Sequence, residues 1–374
     1  MKYTLFKFPY NDRKILALGA ELKSTFCAVI GETAYISETF DDLKQYDHFD
    51  AYRRAISEFM RDEKFRPDVV VADLHPDYLS TRHGRALAGD ALVQVAHHFA
   101  HAAACMADNA IDEPVLGVSF DGSGYGIDGD FWGGEFVVGG PAEFRRAAHL
   151  RYIPLPGADR AALEPYRMAV AYLYETYGRE MLALDLPVLR ELGGEKIRPL
   201  VDMMDKKLNC PLSSSIGRLF DAVAAILRLA DFNRTEAQAA IALQNIAEPT
   251  VEDAYEFGIY AEGDCRIIDP RPMIYGIVKD LRKGIDKKII AGKFHATVAE
   301  MIVRMLRILR DENALMRVVL AGGVFLNGLL KSKTDARLRG VGFEVHFHRQ
   351  SPTGDASISL GQAYMVAGHK KEAK

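Results

Sequence analysis

Apolar runs that end in glycines occur in both halves of the chain, and this recurrence constrains the fold more than any other feature. Residues 115–120 form one such run and residues 318–321 form another. The residues that follow them are Asp121, Gly122, Ser123 and Gly124 in the first case and Gly322 and Gly323 in the second. Glycine lets a backbone bend and approach a ligand closely, and consecutive N–H groups in such a bend can bind an anion. The pattern predicts two similar halves with a nucleotide-binding cleft between them.

The order of elements predicts an α/β protein. Short apolar runs at residues 15–20, 25–30 and 33–37 predict a three-stranded meander. A helix should follow, with Tyr52, Ile56 and Phe59 on one face, and residues 67–74 should form a buried strand. This alternation is typical of a mixed sheet flanked by helices. The proline-rich segment 152–159 predicts lobes at residues 1–150, with the metal and phosphate motifs, and 151–374, with the adenosine motifs.

Composition excludes several classes of protein. The net charge of −4 leaves no excess of positive charge for a nucleic-acid partner, and no run of apolar residues is long enough to cross a membrane. The four cysteines are widely scattered, so neither a zinc ribbon nor a disulfide framework is expected. We predict a cytoplasmic protein that binds neither nucleic acid nor a membrane.

Two histidines at helical spacing are candidate metal ligands. His97 and His101 begin an alanine-rich segment that predicts a helix, and residues four apart share one helix face. They could meet Asp121, Asp355 or both in the cleft, where two imidazoles with carboxylates suit iron or zinc. The alternative is a pair of histidines bonded to backbone groups in a polar cleft. For the glycines after Asp121, the alternative to a phosphate cradle is a tight hairpin.

Three serines before a second predicted helix indicate another helix N-terminus that could bind an anion. Ser213, Ser214 and Ser215 precede an apolar helix and can cap its N-terminus. Asp221 lies one turn further along and is a candidate ligand residue. The alternative for Asp221 is a solvent-facing acid that complements the helix dipole.

Together these segments resemble the C-terminal, Kae1-like carbamoyltransferase domain of the HypF family. The resemblance extends from about residue 15 to residue 362. The segments that carry it are residues 18–26, 73–78, 97–101, 120–126, 132–136, 217–221, 322–325 and 359–362. The family implies a two-lobed, actin-like and sugar-kinase-like (ASKHA) α/β fold, related to tRNA threonylcarbamoyl transferases.

The resemblance also implies roles for individual residues. The implied metal ligands are His97, His101, Asp355 and, in addition, Asp121. The implied nucleotide contacts are Gly122, Ser123 and Gly124 at the phosphate, Gly217, Asp221 and Glu236 at the ribose, and Gly322, Gly323 and Asn327 at the adenine. We assign Lys23 and His98 as candidate catalytic side chains, with Lys23 beside the carbamoyl or phosphate oxygens.

The activity implied by the resemblance is metal- and nucleotide-dependent carbamoyl transfer. Carbamoyl-adenylate, formed from ATP, would donate the carbamoyl group and release AMP, and the acceptor would be the C-terminal cysteine of the maturation protein HypE. The product would supply the cyanide ligands of [NiFe]-hydrogenase. Full HypF proteins carry further modules before this domain, so we expect a separate adenylate-forming protein or module to supply the donor.

Two alternatives remain open from the sequence. One is a tRNA threonylcarbamoyl-type transferase. The other is a nucleotide-binding interaction protein without turnover. Ala237 and the Ala356–Ser357 pair stand where the family is usually richer in glycine, which affects the expected details of the pocket rather than the fold.

Overall fold

Two mixed β-sheets flanked by helices make up the architecture. The computed structural model describes residues 2–368, with Tyr10 by its backbone alone. The strands are β1 (Tyr3–Ala17), β2 (Cys27–Ser37), β3 (Val69–Asp73), β4 (Val93–Val95), β5 (Val115–Tyr125), β6 (Phe131–Gly139), β7 (Phe144–Leu150), β8 (Ile153–Pro154), β9 (Leu212–Ser213), β10 (Gly258–Glu262), β11 (Cys265–Asp269), β12 (Arg317–Ala321) and β13 (Glu344–His346). The helices are α1 (Tyr46–Asp62), α2 (Leu79–Ala88), α3 (His97–Asp108), α4 (Asp159–Leu163), α5 (Pro165–Tyr177), α6 (Pro187–Asp205), α7 (Ile216–Ile226), α8 (Gln238–Ile246), α9 (Arg271–Arg282), α10 (Lys287–Asn313), α11 (Gly328–Gly340) and α12 (Ile358–Gly368). The predicted α/β class with mixed sheets flanked by helices is confirmed.

The first sheet has the strand order β2-β1-β3-β4. Strands β1 and β2 are antiparallel, whereas β3 is parallel to both β1 and β4. The predicted helix is α1, and its Tyr52, Ile56 and Phe59 are buried. The predicted three-stranded meander is wrong in one respect. Its second and third runs form the single strand β2, which passes through Gly31 at a φ of 62° and pairs with the long strand β1.

The second sheet places two strand ends side by side. Its main order is β10-β11-β7-β6-β5-β12-β13, and β5 is parallel to β12. The carboxyl ends of parallel strands lie at the same sheet edge, so Asp121 comes close to Gly322 and Gly323. The predicted lobe boundary at residue 150 lies at the end of β7, a strand of this second sheet. The division into two lobes stays a prediction.

Helices α3 and α12 pack against each other next to the first sheet. Gly361 lies so close to the backbone of Ala100 that a side chain at this position would overlap it. The alanines of α3 are buried, and their small size permits this close approach. This packing fixes the position of α3, whose N-terminal histidines lie near Asp121 of the second sheet. Among residues 2–368, no helix combines the length and the apolar character needed to cross a bilayer.

Candidate active site

Four side chains with metal-binding atoms converge where α3 meets β5 and the loop before α12. This candidate metal group, called the metal group below, consists of His97, His101, Asp121 and Asp355, whose ligand atoms all lie within 4.8 Å of one another. The Nε2 atoms of both histidines lie 3.6–3.9 Å from carboxylate oxygens of the two aspartates. The structure therefore brings together all four predicted metal ligands. Their identity as ligands stays a prediction.

The surroundings of the group fit a divalent cation. The Nε2 atoms of His97 and His101 are buried and have no hydrogen-bond partner among the described residues. Buried polar atoms without partners are costly, and a cation between the four side chains would satisfy both nitrogens at once. Two imidazoles with two carboxylates are a donor set suited to zinc or iron.

Asp73 orients the first histidine. Its Oδ2 lies 2.8 Å from Nδ1 of His97, and both side chains are fully buried. This contact directs Nε2 of His97 toward Asp121 and Asp355, as carboxylates behind metal-bound histidines do. Burial lowers the pKa of His97, but the carboxylates of Asp73, Asp121 and Asp355 outweigh burial and hold this pKa well above its usual value. The site is therefore rich in negative charge and attracts a cation.

The glycine bend after Asp121 lies directly over the histidines. A Cβ atom added to Gly124 would lie 2.6 Å from Cδ2 of His97 and 2.7 Å from Cε1 of His98. Gly122 and Ser123 continue strand β5 with a register shift relative to β6, and the side chain of Ser123 is exposed. The bend is thus an irregular part of a hairpin and also borders the metal group, so the two alternatives weighed for it are compatible.

The N-terminus of α7 is fixed against the same bend. Ser215 caps the helix by accepting a hydrogen bond from the backbone N–H of Arg218 at 3.1 Å, and its Oγ donates to the carbonyl of Gly122 at 2.6 Å. A Cβ atom on Gly217 would lie 2.8 Å from Cα of Gly122. Only glycine at position 217 therefore permits this approach.

Asp221 lies one turn along α7 and is only 1% exposed. The alternative of a solvent-facing acid is therefore wrong. Its Oδ2 lies 3.0 Å from Nη2 of Arg218, and its Oδ1 accepts a hydrogen bond from Asn233 at 3.1 Å. Burial raises the pKa of Asp221, although the charge of Arg218 and the bond from Asn233 act in the opposite direction.

Lys23 and Glu236 form an ion pair with each other. Their Nζ and Oε2 atoms are 2.6 Å apart, and the side chains are 45% and 67% exposed. An exposed pair of this kind contributes little to stability. The two residues predicted for the carbamoyl and ribose ends of the substrate are therefore neighbours, and they come from distant parts of the chain.

The glycines after β12 support Asp121. The N–H of Gly323 donates to Oδ1 of Asp121 at 3.2 Å, and Gly322 has a φ of 95°. Asn327 caps α11 by accepting a hydrogen bond from the N–H of Leu330, and its Nδ2 lies 3.0 Å from Nε2 of His295. The side chain of Asn327 thus serves the fold, and its predicted contact with adenine stays a prediction.

His98 is enclosed beside the metal group. Both of its ring nitrogens are buried without a partner among the described residues, and its ring centroid lies 6.1 Å from that of Trp132. Burial and the neighbouring charge of His97 lower the pKa of His98 to about 3. His98 is therefore neutral, and its catalytic role stays a prediction.

The loop that carries Asp355 is anchored to the far end of α3. The carboxylate of Asp108, 1% exposed, accepts hydrogen bonds from the backbone N–H groups of Arg349, Gln350 and Ser351. The helix that provides both histidines therefore also holds the segment before Asp355.

Sequence reasoning named Ser215 as a possible helix cap, which the structure confirms, but it assigned no role in the site to Asp73, Arg218 or Asn233. Asp73 is the last residue of the buried strand β3. Ligands often bind beyond the strand ends of an α/β sheet, so this position could have identified Asp73 as a site residue. Arg218 and Asn233 gave no comparable signal, because their partners come from other elements.

Comparisons with known proteins show which family the chain resembles. The family model "Carbamoyltransferase, Kae1-like Domain, second subdomain" matches residues 117–362, and "HypF Kae1-like domain" matches residues 10–108. A carbamoyltransferase HypF homolog of Cupriavidus necator is 35% identical, with 94% of this chain and 91% of the relative covered. Carbamoyltransferase HypF2 of the same organism is 35% identical, with 96% of this chain but 47% of the relative covered.

Solved structures show the same fold. Full-length HypF in the phosphate- and nucleotide-bound form has a TM-score of 0.93 at 34% identity and covers 100% of this chain, which corresponds to 58% of that protein. The HypF of T. kodakarensis has a TM-score of 0.88 at 28% identity, with 98% of this chain and 49% of that protein covered. The chain spans about half the length of several of the curated relatives that it matches.

Proposed function

The chain belongs to the HypF carbamoyltransferase family, and we propose that it transfers a carbamoyl group from carbamoyl-adenylate to the C-terminal cysteine of a HypE-type maturation protein. The product would be the thiocarboxamide that supplies cyanide ligands for [NiFe]-hydrogenase. The observation that carries the proposal is the convergence of His97, His101, Asp121 and Asp355 beside the glycine bend. A metal group next to an anion-binding backbone suits a substrate that joins a carbonyl to a phosphate.

The metal group would hold the reacting end of the substrate. A zinc or iron ion bound by His97, His101, Asp121 and Asp355 would act as a Lewis acid toward a carbonyl or phosphate oxygen. The chain itself prepares this arrangement, because Asp73 fixes the ring of His97 at 2.8 Å. The N–H of Gly323 holds the carboxylate of Asp121 in the same way.

The transfer itself needs a nucleophile from the partner. The thiolate sulfur attacks the carbamoyl carbon, a C–S bond forms, and the C–O bond to the phosphate breaks so that AMP leaves with the bonding electrons. The proton of the thiol passes to solvent before the attack. Backbone N–H groups of residues 122–124 and the charge of Lys23 would stabilise the negative charge on the leaving phosphate. A thiolate is a strong nucleophile, which reduces the need for a general base.

The proposal is tested by the mass of the C-terminal cysteine peptide of the partner. This chain, a HypE-type protein and supplied carbamoyl-adenylate are mixed with and without a chelator. We expect a mass gain of one carbamoyl group that the chelator abolishes. The H97A/H101A double variant should show no gain, whereas the control variant H48A, altered on α1, should match the unmodified chain.

Other outcomes would assign the chain to a different class. Nucleotide binding without any transfer, even with the metal present, would indicate an interaction protein without turnover. Binding of tRNA at physiological salt would indicate a tRNA-modifying transferase. Transfer that persists in H97A/H101A would remove the metal group from the reaction.

A further inference from the structure

Arg218 is a mostly buried cation with more donors than the surrounding residues can accept. Its side chain is 14% exposed, and its only ion-pair partner among the described residues is Asp221, at 3.0 Å from Nη2. The Nε and Nη1 atoms are buried and have no hydrogen-bond partner within residues 2–368. Removing a guanidinium from water is costly unless its donors and its charge are compensated. The described residues therefore compensate the charge and the hydrogen-bond donors of Arg218 only in part.

The one acidic partner is shared and fixed. Asp221 also accepts a hydrogen bond from Nδ2 of Asn233, which in turn donates to the carbonyl of Ala162 at 2.8 Å. The Oδ1 of Asn233 accepts from the N–H of Ala239 at 2.8 Å. These contacts immobilise Asp221, so Asp221 orients the guanidinium of Arg218 rather than moving with it.

The guanidinium faces the glycine bend. Nη2 of Arg218 lies 3.7 Å from the position that a Cβ atom on Gly122 would occupy. Apart from Gly122 and its chain neighbours, no other described residue has an atom within 4 Å of this position. Ser215 fixes the relative position of the two segments by bonding both the carbonyl of Gly122 and the N–H of Arg218. A group bound against the bare backbone of Gly122 would therefore lie within reach of Nη2.

We propose that Arg218 contacts the phosphate of the nucleotide and that Asp221 and Asn233 act as positioning residues for this contact. Arginine stays charged at all relevant pH values, and its bonds to phosphate oxygens are stronger than neutral hydrogen bonds. Nη2 lies 3.0 Å from Oδ2 of Asp221 as an ion pair and also faces Gly122, so this nitrogen is the one placed to contact a phosphate oxygen. The inference rests on the proposed function, because it takes the adenylate as the ligand.

Binding of AMP and of adenosine separates a phosphate contact from a structural role. Both ligands are titrated calorimetrically into the unmodified chain, R218Q, R218K and the control R54Q, which alters an arginine with a 69% exposed side chain on α1. We expect R218Q to bind AMP at least tenfold more weakly, with its adenosine affinity unchanged within twofold. R218K, which keeps the charge, should lose AMP affinity by a smaller factor, and R54Q should bind both ligands normally.

The positioning role of Asp221 has its own readout. D221N should weaken AMP binding by a larger factor than adenosine binding, because a ribose contact of Asp221 is common to both ligands and the phosphate contact is not. Equal losses for the two ligands would instead assign Asp221 to the ribose and overturn its positioning role.

The phosphate contact is overturned if R218Q binds AMP normally or loses both ligands equally. Thermal unfolding shows whether each variant is folded. If R218Q is not folded, R218K provides the test, and its affinity for AMP must fall relative to its affinity for adenosine. An unmodified chain that binds neither ligand would overturn the proposed function together with this inference. A chain that binds both, with no selective loss in the variants, would overturn the inference alone.

Discussion

At the scale of single residues, the site depends on a position without a side chain as well as on the side chains around it. Gly124 is a glycine because two imidazole rings occupy the space next to its Cα, and a Cβ atom there would lie only 2.6 and 2.7 Å from them. Its predicted role was to cradle phosphate. The structure adds a second requirement, since the glycine also lets the hairpin cover the histidines of α3.

Replacement of Gly124 by alanine should therefore displace His97 and His98. We expect G124A to lower the free energy of unfolding by about 1 to 3 kcal/mol, the usual cost of overpacking a filled site. Gly328 is a suitable control, because no atom lies within 4 Å of the position where its Cβ would stand. Denaturant unfolding of G124A and G328A measures both effects, and equal stabilities would contradict the proposed packing.

Local spacing explains why part of the site was predictable. His97 and His101 share a helix face because they are four residues apart, and Asp121 was recognisable because it follows an apolar strand. Arg218 and Asn233 could not be found in this way. Their importance arises from contacts with Asp221 and Gly122, and the packing of α7 against β5 creates these contacts.

At the scale of elements, α10 and α11 are joined by a neutral histidine. Nδ1 of His295 lies 2.8 Å from the carbonyl of Ala291, and its Nε2 lies 3.0 Å from Nδ2 of Asn327. Nδ1 must therefore carry the proton and donate a hydrogen bond, and Nε2 must accept a hydrogen bond from Asn327. Burial lowers the pKa of His295 to about 4, and the nearby charge of Lys333 acts in the same direction.

This depressed pKa should make stability depend on pH. Below about pH 6.5 the unfolded chain binds a proton at His295 that the folded chain does not bind, so stability falls as the pH decreases from 6.5 toward 4. Between pH 7 and pH 5 this histidine should account for a loss of about 2 kcal/mol. Denaturant unfolding at both pH values should show a loss smaller by that amount in H295Q. An identical loss in H295Q and the unmodified chain would contradict the assignment.

Strand β2 shows where local sequence patterns were insufficient to predict the structure. Gly31 and Glu32 predicted a turn, because glycine beside a polar residue is a common turn signal. In the structure β2 continues through both, since residues 3–7 of β1 pair with residues 33–37 of β2. Pairing over this distance along the chain supplies backbone hydrogen bonds that a local pattern does not reveal.

At the scale of the whole molecule, the metal group connects separate parts of the chain. His97 and His101 come from α3 beside the first sheet, Asp121 comes from the second sheet, and Asp355 comes from the loop before α12. The α/β class followed from the alternation of strands and helices. The meeting of these four side chains required the complete fold. From the sequence alone, Asp355 was a candidate ligand beside Asp121, and a resemblance to a family then implied the full set of four.

Because a cation would bind the folded chain through several elements at once, it should stabilise the whole molecule. With free Zn²⁺ at a hundredfold excess over its dissociation constant, unfolding should cost about 2.7 kcal/mol more than with a chelator. D73N removes the carboxylate behind His97, which should weaken binding by about 10- to 100-fold and reduce this gain at the same Zn²⁺ concentration to between about 0.4 and 1.4 kcal/mol. D77N, which alters a 71% exposed acid four residues further along, should keep the full gain. Denaturant unfolding with Zn²⁺ and with chelator measures all three proteins. An unmodified chain that gains nothing would argue against the metal group, whereas equal gains in D73N and the unmodified chain would argue against the role of Asp73 alone.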